Sequence, residues 1–232
     1  MPIPAFIGMN QTGQSGATFN TVPYTITANG NFLIAYAAND SPQSVSDTNG
    51  NAWTKMIPGS PYTNAWWCLA NATGSDTITF NYGTAQNFTY DFVMEYGPIN
   101  PNPASQIDVL DWRSAATGVL NISDTFTTNY PNESLVVLGN AYGAQNPYTS
   151  TTGLTIRYNN GSLVGSPSGC VVGDRPAVTV GSYTESGSYP NSPFGIGFIY
   201  ITLRSPGDAP IPIPVYRSNA GMKGQRVFSK VR

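Results

Sequence analysis

"TANGNFLIAYA" (27–37) and "TNYPNESLVVLGNA" (128–141) decide how this chain reads. Each joins a polar turn to a short apolar run of strand length, bounded by turn residues. Working outward from them, similar runs recur at 64–70, 75–82, 87–96, 153–159, 176–183 and 194–204. β-Branched and aromatic residues dominate these runs, and Gly, Pro, Asn or Asp stops each one. Spacing of about 8–12 residues with turn signals between predicts an all-β sandwich or barrel. The 19 prolines and 24 glycines leave little room for the interior of a long helix.

The two opening stretches also echo each other. At a shift of 102 residues Leu33 meets Leu135, Cys68 meets Cys170, Thr77 meets Thr179 and Phe92 meets Phe194. The echo predicts a sandwich whose halves repeat one strand order. No linker-like segment lies beside either half, so residues 1–206 read as one body, followed by an arm at 207–232.

Composition narrows the function. Charged residues make up 9% of the chain, against about 25% in an average soluble domain. Asn, Ser, Thr and Gly take their place, which suits a β-rich protein built for contact and durability. There is no histidine, which excludes Ser-His-Asp and Cys-His catalysis and His-ligated zinc. Two cysteines, Cys68 and Cys170, cannot make a four-thiolate zinc site, and sequence alone leaves a bridge between them open. No cofactor is expected. "MPIPAFIGMN" (1–10) lacks a basic stretch before a long apolar one, and no run approaches the ~20 apolar residues of a membrane helix. The expectation is synthesis and assembly in a cytoplasm, without membrane contact.

Four segments resemble a known module: "ANGNFLIAYAAND" (28–40), "SDTNGNAWTKM" (46–56), "WWCLANATGSDTITFNY" (66–82) and "YDFVMEYGPINPNPASQIDVLD" (90–111). Their order is similar to a jelly-roll, concanavalin-like β-sandwich module of bacteriophage structural proteins and bacterial surface proteins. The likeness runs over about residues 5–206, through "FIYITLRSP" (198–206). It departs at Tyr96-Gly97, where the module usually has one more residue. The resemblance implies a two-sheet antiparallel jelly-roll and a structural setting, and leaves activity open.

Asp47, Asn49 and Asn51 alternate as in a calcium loop. The glycine and glutamate that such a loop needs at its sixth and twelfth positions do not follow. Asn49-Gly50 instead predicts a tight hairpin without calcium. Glycosidase chemistry would need two carboxylates across a sugar bond. Asp91 and Glu95 are expected on one sheet face, and Asp108 and Asp111 on opposite faces. Glu95 with Asp108 would converge only through tertiary structure. Trp66 and Trp67 are consecutive, so a strand sends them to opposite faces; with Trp112 they are the candidate glycan-stacking or interface aromatics.

The arm is the most informative feature. Five of the ten basic residues, Arg217, Lys223, Arg226, Lys230 and Arg232, fall there. Residues 1–216 carry the other five against all twelve acids, a net charge of −7. Ile211, Ile213 and Val215 alternate with proline, which dictates an extended chain and not a central strand. Val215, Tyr216, Val227, Phe228 and Val231 are apolar beyond what a solubilising tail needs, and a nucleic-acid tail would be denser in Lys and Arg. Such a segment can add as a strand to a sheet edge. The sequence therefore predicts a non-enzymatic virion protein, a capsid decoration or cement protein tied by its arm to capsid or other virion proteins and self-associating. The alternative is a carbohydrate-binding adhesion module, and glycoside hydrolysis is a distant third.

Overall fold

The computed structural model describes residues 2–38, 41–56, 64–99, 101–102, 106–116, 121–142, 147–160, 168–177, 179–189, 195–207 and 215–218. Every regular element among them is a strand. The first eight are β1 (Ala5–Gln14), β2 (Phe19–Ile26), β3 (Phe32–Ala37), β4 (Ser44–Asp47), β5 (Thr54–Lys55), β6 (Asn64–Leu69), β7 (Gly74–Asn81) and β8 (Thr89–Gly97). The next eight are β9 (Ile107–Ala116), β10 (Asn121–Thr128), β11 (Glu133–Tyr142), β12 (Thr149–Ser150), β13 (Thr155–Asn160), β14 (Ser168–Ala177), β15 (Gly181–Ser188) and β16 (Gly195–Leu203). A short β17 (Val215–Ser218) follows.

These strands form four sheets. The first eight strands make β1-β8-β3-β6-β5 and β2-β7-β4. The next eight make the same pattern, β9-β16-β11-β14-β13 and β10-β15-β12, with β17 added outside β9. Each half is thus an antiparallel jelly roll of two sheets, and the molecule holds two of them. The all-β sandwich expected from the strand spacing is present, with four sheets where two were expected.

The repeat extends to register. Phe19↔Asn81 through Ile26↔Gly74 in β2–β7 becomes Asn121↔Ser188 through Thr128↔Gly181 in β10–β15. Thr54↔Trp67 becomes Thr155↔Asp174. The β1–β8 ladder slips at Phe6/Gly8, and the β9–β16 ladder slips at the corresponding Ile201/Leu203. The shift of 102 holds for Leu33 and Leu135 but not beyond. Leu33 pairs with Cys68, whereas Leu135 pairs with Arg175, so the segment between these strands is five residues longer in the second half (33 to 68 against 135 to 175). Cys68 therefore corresponds to Arg175 and not to Cys170. Thr179 precedes β15, and Phe194 lies outside the described residues.

The two large sheets pack face to face, and each small sheet covers the outer face of its own large sheet. Along β3, Phe32, Ile34 and Tyr36 enter the central layer, while Ala35 and Ala37 meet β2, β4 and β7. Along β11, Val136 and Leu138 enter the central layer, and Leu135 and Val137 face β10. Strands covered on both faces read as continuous apolar runs, which is why "FLIAYA" does not alternate. The small sheets are covered on one face only, and β10 alternates strictly between exposed and buried positions.

Side chains from both halves meet in the central layer. The Tyr90 and Tyr158 hydroxyls share a hydrogen bond of 2.7 Å, and the rings of Phe92 and Tyr158 meet edge to face at 5.0 Å. Arg157 makes a two-pronged bond to Asp174 at 2.7 and 2.9 Å and lies 4.5 Å over the Phe6 ring. A shared core makes the halves one cooperative unit. Leu138→Ala, at a fully buried central position, should cost about 2–5 kcal/mol. It should move a single urea transition monitored by both fluorescence and circular dichroism. Two separated transitions would contradict a shared core.

Candidate functional site

Asp91 and Glu95, two of the candidate carboxylates, hold layers of the sandwich together. Asp91 and Glu95 share the β8 face that looks toward β2 and β7, as expected from their spacing. Both are fully buried. Glu95 accepts from the Tyr24 hydroxyl (3.1 Å), the Thr27 N–H (3.0 Å), the Thr27 hydroxyl (2.8 Å) and the Asn31 amide (2.6 Å). Burial, and then the Glu95 charge, raise the Tyr24 phenol above its ordinary value and keep it a donor. Asp91 accepts from Asn20 (2.8 Å) and the Tyr82 hydroxyl (2.5 Å). A carboxylate already saturated with donors has little capacity left to act as acid or base.

Asp108 and Asp111 do not face opposite ways. The ladder slip places an extra residue in β9, so Asp108 joins the face of Val109, toward β10. There Asp108 accepts from the Asn129 N–H (2.6 Å) and side-chain amide (2.9 Å). Arg113, two residues beyond Asp111 on that same face, pairs with Asp124 at 2.5 Å. Glu95 and Asp108 lie in separate interlayers and do not converge. Among the described residues, no three Asp, Glu or Cys side chains converge on a metal-sized site.

Asn49-Gly50 is a turn but not a hairpin. β4 pairs with β7 and β5 pairs with β6, so this segment carries the chain from a small sheet to a large one. Gly50 takes φ 71°, and Asn49 keeps a negative φ, whereas the predicted hairpin turn needs both positive. The connection is fixed by Asp47, which accepts from the Asn51 N–H (2.9 Å) and amide (2.8 Å) and the Trp53 indole (2.6 Å). Asp76 holds the Thr48 hydroxyl at 2.8 Å beside it.

The aromatics are covered. Trp66 and Trp67 do point to opposite faces, yet both faces are interior. Trp66 packs against β2, β4 and β7, with the Lys55 ammonium 5.0 Å from its ring. Trp67 stacks on Phe32 at 5.1 Å on the central side, and Trp112 packs there too, partly buried. Among the described residues, the exposed large hydrophobics are Ile7, Phe19, Ile156 and Val180, and no Trp is one of them. Cys68 and Cys170 are both unbridged and buried. They belong to different layers, Cys68 on the outer side of its sheet and Cys170 in the central one.

Of the arm residues singled out, Val215, Tyr216 and Arg217 lie in β17, in register with Val109, Leu110 and Asp111 of β9. This is the only parallel pairing among the described strands. Ile211, Ile213, Lys223, Arg226, Val227, Phe228, Lys230, Val231 and Arg232 lie outside the described residues. Sequence reasoning missed β2, β10 and most of β14, ran 176–183 across the end of β14 and the start of β15, and missed β1, the counterpart of β9. "AFIGMNQTGQ" is half polar and carries glycines, so it lacks the apolar run that marks the inner strands. The repeat was the signal that could have found it.

Comparison with family models, with curated proteins and with solved structures returned no match to this chain.

Two outcomes follow from the site. Glu95→Gln puts an amide donor among four donors and should lower stability by about 1–3 kcal/mol in urea titration. A variant as stable as the parent would break the saturated-acceptor account. Burial raises both thiols above their ordinary value, so neither supplies thiolate at pH 8. Both should resist a thiol reagent in the folded protein and react together on unfolding. Fast native labelling of either would contradict the burial.

Proposed function

We propose that this protein is a non-enzymatic structural component of a bacteriophage virion, a capsid decoration or cement protein attached through its C-terminal segment. The observation that carries the reading is β17. Residues 215–218, the start of the basic segment, add as a strand to the edge of a jelly-roll sheet. A segment that adds to one edge by main-chain bonds is chemically suited to add to others. The charge division supports it, with −7 on residues 1–216 and five basic residues beyond. The buried carboxylates support a structural role over a catalytic one, because they serve as acceptors that fix strands and connections. The resemblance to phage and surface modules supplies the setting. Carbohydrate binding draws less support, since Trp66 and Trp67 lie in packed layers.

Exposed ion pairs contribute about 0–1 kcal/mol each, so five basic residues alone hold weakly in salt. Burying Phe228 or Val231 is worth about 1.5–3 kcal/mol. The experiment is co-sedimentation with virions stripped of this protein. A chain ending at Ser218 should stay folded and fail to rebind. Phe228→Ala should weaken rebinding more than Lys230→Ala, and moderate salt should loosen it without abolishing it. Undiminished rebinding of the shortened chain would eliminate the anchor.

A further inference from the structure

The repeat gives every strand of one half a counterpart in the other, and it exposes one asymmetry. β9 is covered on its outer edge by β17, whereas β1, its counterpart, pairs only with β8 among the described residues. The Ala38 N–H donates to the Tyr90 carbonyl at 2.9 Å, which turns the Tyr90 main chain toward β3. By antiparallel alternation, the main-chain groups of Met9, Gln11 and Gly13 then face away from β8. Met9 and Gln11 are the counterparts of Leu110 and Trp112, the β9 residues in register with Tyr216 and Ser218. The Gln11 N–H is satisfied only locally, by the Asn10 side chain at 2.9 Å, at an exposed position. Two of the four exposed large hydrophobics among the described residues flank this edge, Ile7 at the β1 bulge and Phe19 on β2, which runs beside β1. An unpaired strand edge of this kind is a template for another strand.

The basic segment supplies a matching strand. β17 reads Val215-Tyr216-Arg217-Ser218, and Val227-Phe228-Ser229-Lys230 repeats its Val-aromatic start with two polar residues after it. One copy of the motif sits on β9. Within one molecule the second cannot reach β1. Phe6 of β1 meets Arg157 of β13, so β1 lies over the opposite end of the six-stranded sheet from β17. Five strand spacings separate those ends, about 24 Å in a straight line. The route must also pass around the outer layers. The nine residue steps from Ser218 to Val227 span about 32 Å at full extension, too little for that detour.

Resting on the anchor reading above, we propose that Val227–Lys230 of one copy adds as a parallel strand to the outer edge of β1 in a second copy, alongside Gly8–Gln11. The occupied β9 edge is the template for that joint, and the acidic body of the receiving copy complements the basic segment. The contact is head to tail, so repeated use closes a ring or extends a filament.

The test is sedimentation velocity on the full chain and its variants. Gln11→Pro removes an outward N–H and leaves the β8 ladder intact; circular dichroism and melting verify its fold. Phe228→Pro blocks the joint from the other side without touching the body. The full chain should self-associate, and each variant should do so at least tenfold more weakly. A chain ending at Ser218 should remain monomeric. Mixing that chain, which keeps a free β1, with Gln11→Pro, which keeps a free strand, should restore one joint and give a 1:1 complex. A monomeric full chain, undiminished association of Gln11→Pro or Phe228→Pro, or failure of the mixture to pair would each overturn the proposal. Stripped virions separate the two readings. If Gln11→Pro rebinds normally and the Ser218 chain does not, the anchor stands and the β1 edge is not its receiver. If both rebind, the anchor itself falls.

Discussion

The structure depends on one requirement, that both faces of β3, β8, β11 and β16 be covered. Every residue of β3 and of β16 is buried, and apolar side chains leave both faces of each strand. A single three-stranded sheet satisfies only one face. The other face is satisfied by the second repeat, through Ile34, Tyr36 and Met94 against Val136, Leu138 and Ile199. Neither jelly roll could stand alone in water with that face bare, because a contiguous apolar surface of such extent drives association. The tandem repeat is therefore a condition of stability and not an ornament of topology.

Polar groups then decide where the strands sit. A chain with few charges still buries Asp91, Glu95, Asp124, Glu133 and Glu185 almost completely. Glu95 ties the end of β2 to the start of β3 through Thr27 and Asn31, and Glu185 receives the Ser150 and Thr152 hydroxyls beside β12. Buried acceptors with their donors in place penalise any slip of register, since a slipped strand strands a desolvated carboxylate. Asp91 and Glu95, which looked like catalytic candidates in the sequence, act as pins for connections between layers.

Fold class was legible because turn residues punctuate strands at regular intervals. Strands β3, β6, β8, β11 and β16 announced themselves as apolar runs, whereas β14, "SGCVVGDRPA" with its two glycines and charged pair, did not, and the echo at Leu33 and Leu135 reported the repeat. The second pair of sheets was not legible, because "FLIAYA" reads the same whether a helix, a loop or another jelly roll covers its second face. Trp66-Trp67 shows the consequence: alternation was read correctly and sends the two rings to opposite faces, but the second interior that covers the outer ring was not foreseen. Asn49-Gly50 misled for a local reason, since turn chemistry specifies φ angles and says nothing of which sheet the next strand joins. The β1 edge stayed hidden because polar alternation in "MNQTGQ" resembles a loop, and only its match to β9 gives it meaning.

Edges follow from the same architecture. Two repeats with sheets of identical order leave corresponding flanks, and the chain itself demonstrates on β9 how such a flank is covered. What holds the two flanks at fixed separation is the central layer, so its integrity underlies both the stability and the assembly argument. Native-state hydrogen exchange tests it most directly. If the halves share one core, amides of β3 and β8 should exchange together with those of β11 and β16, at the free energy of global unfolding. Exchange of one half's inner strands well below that limit, with the other half still protected, would contradict it.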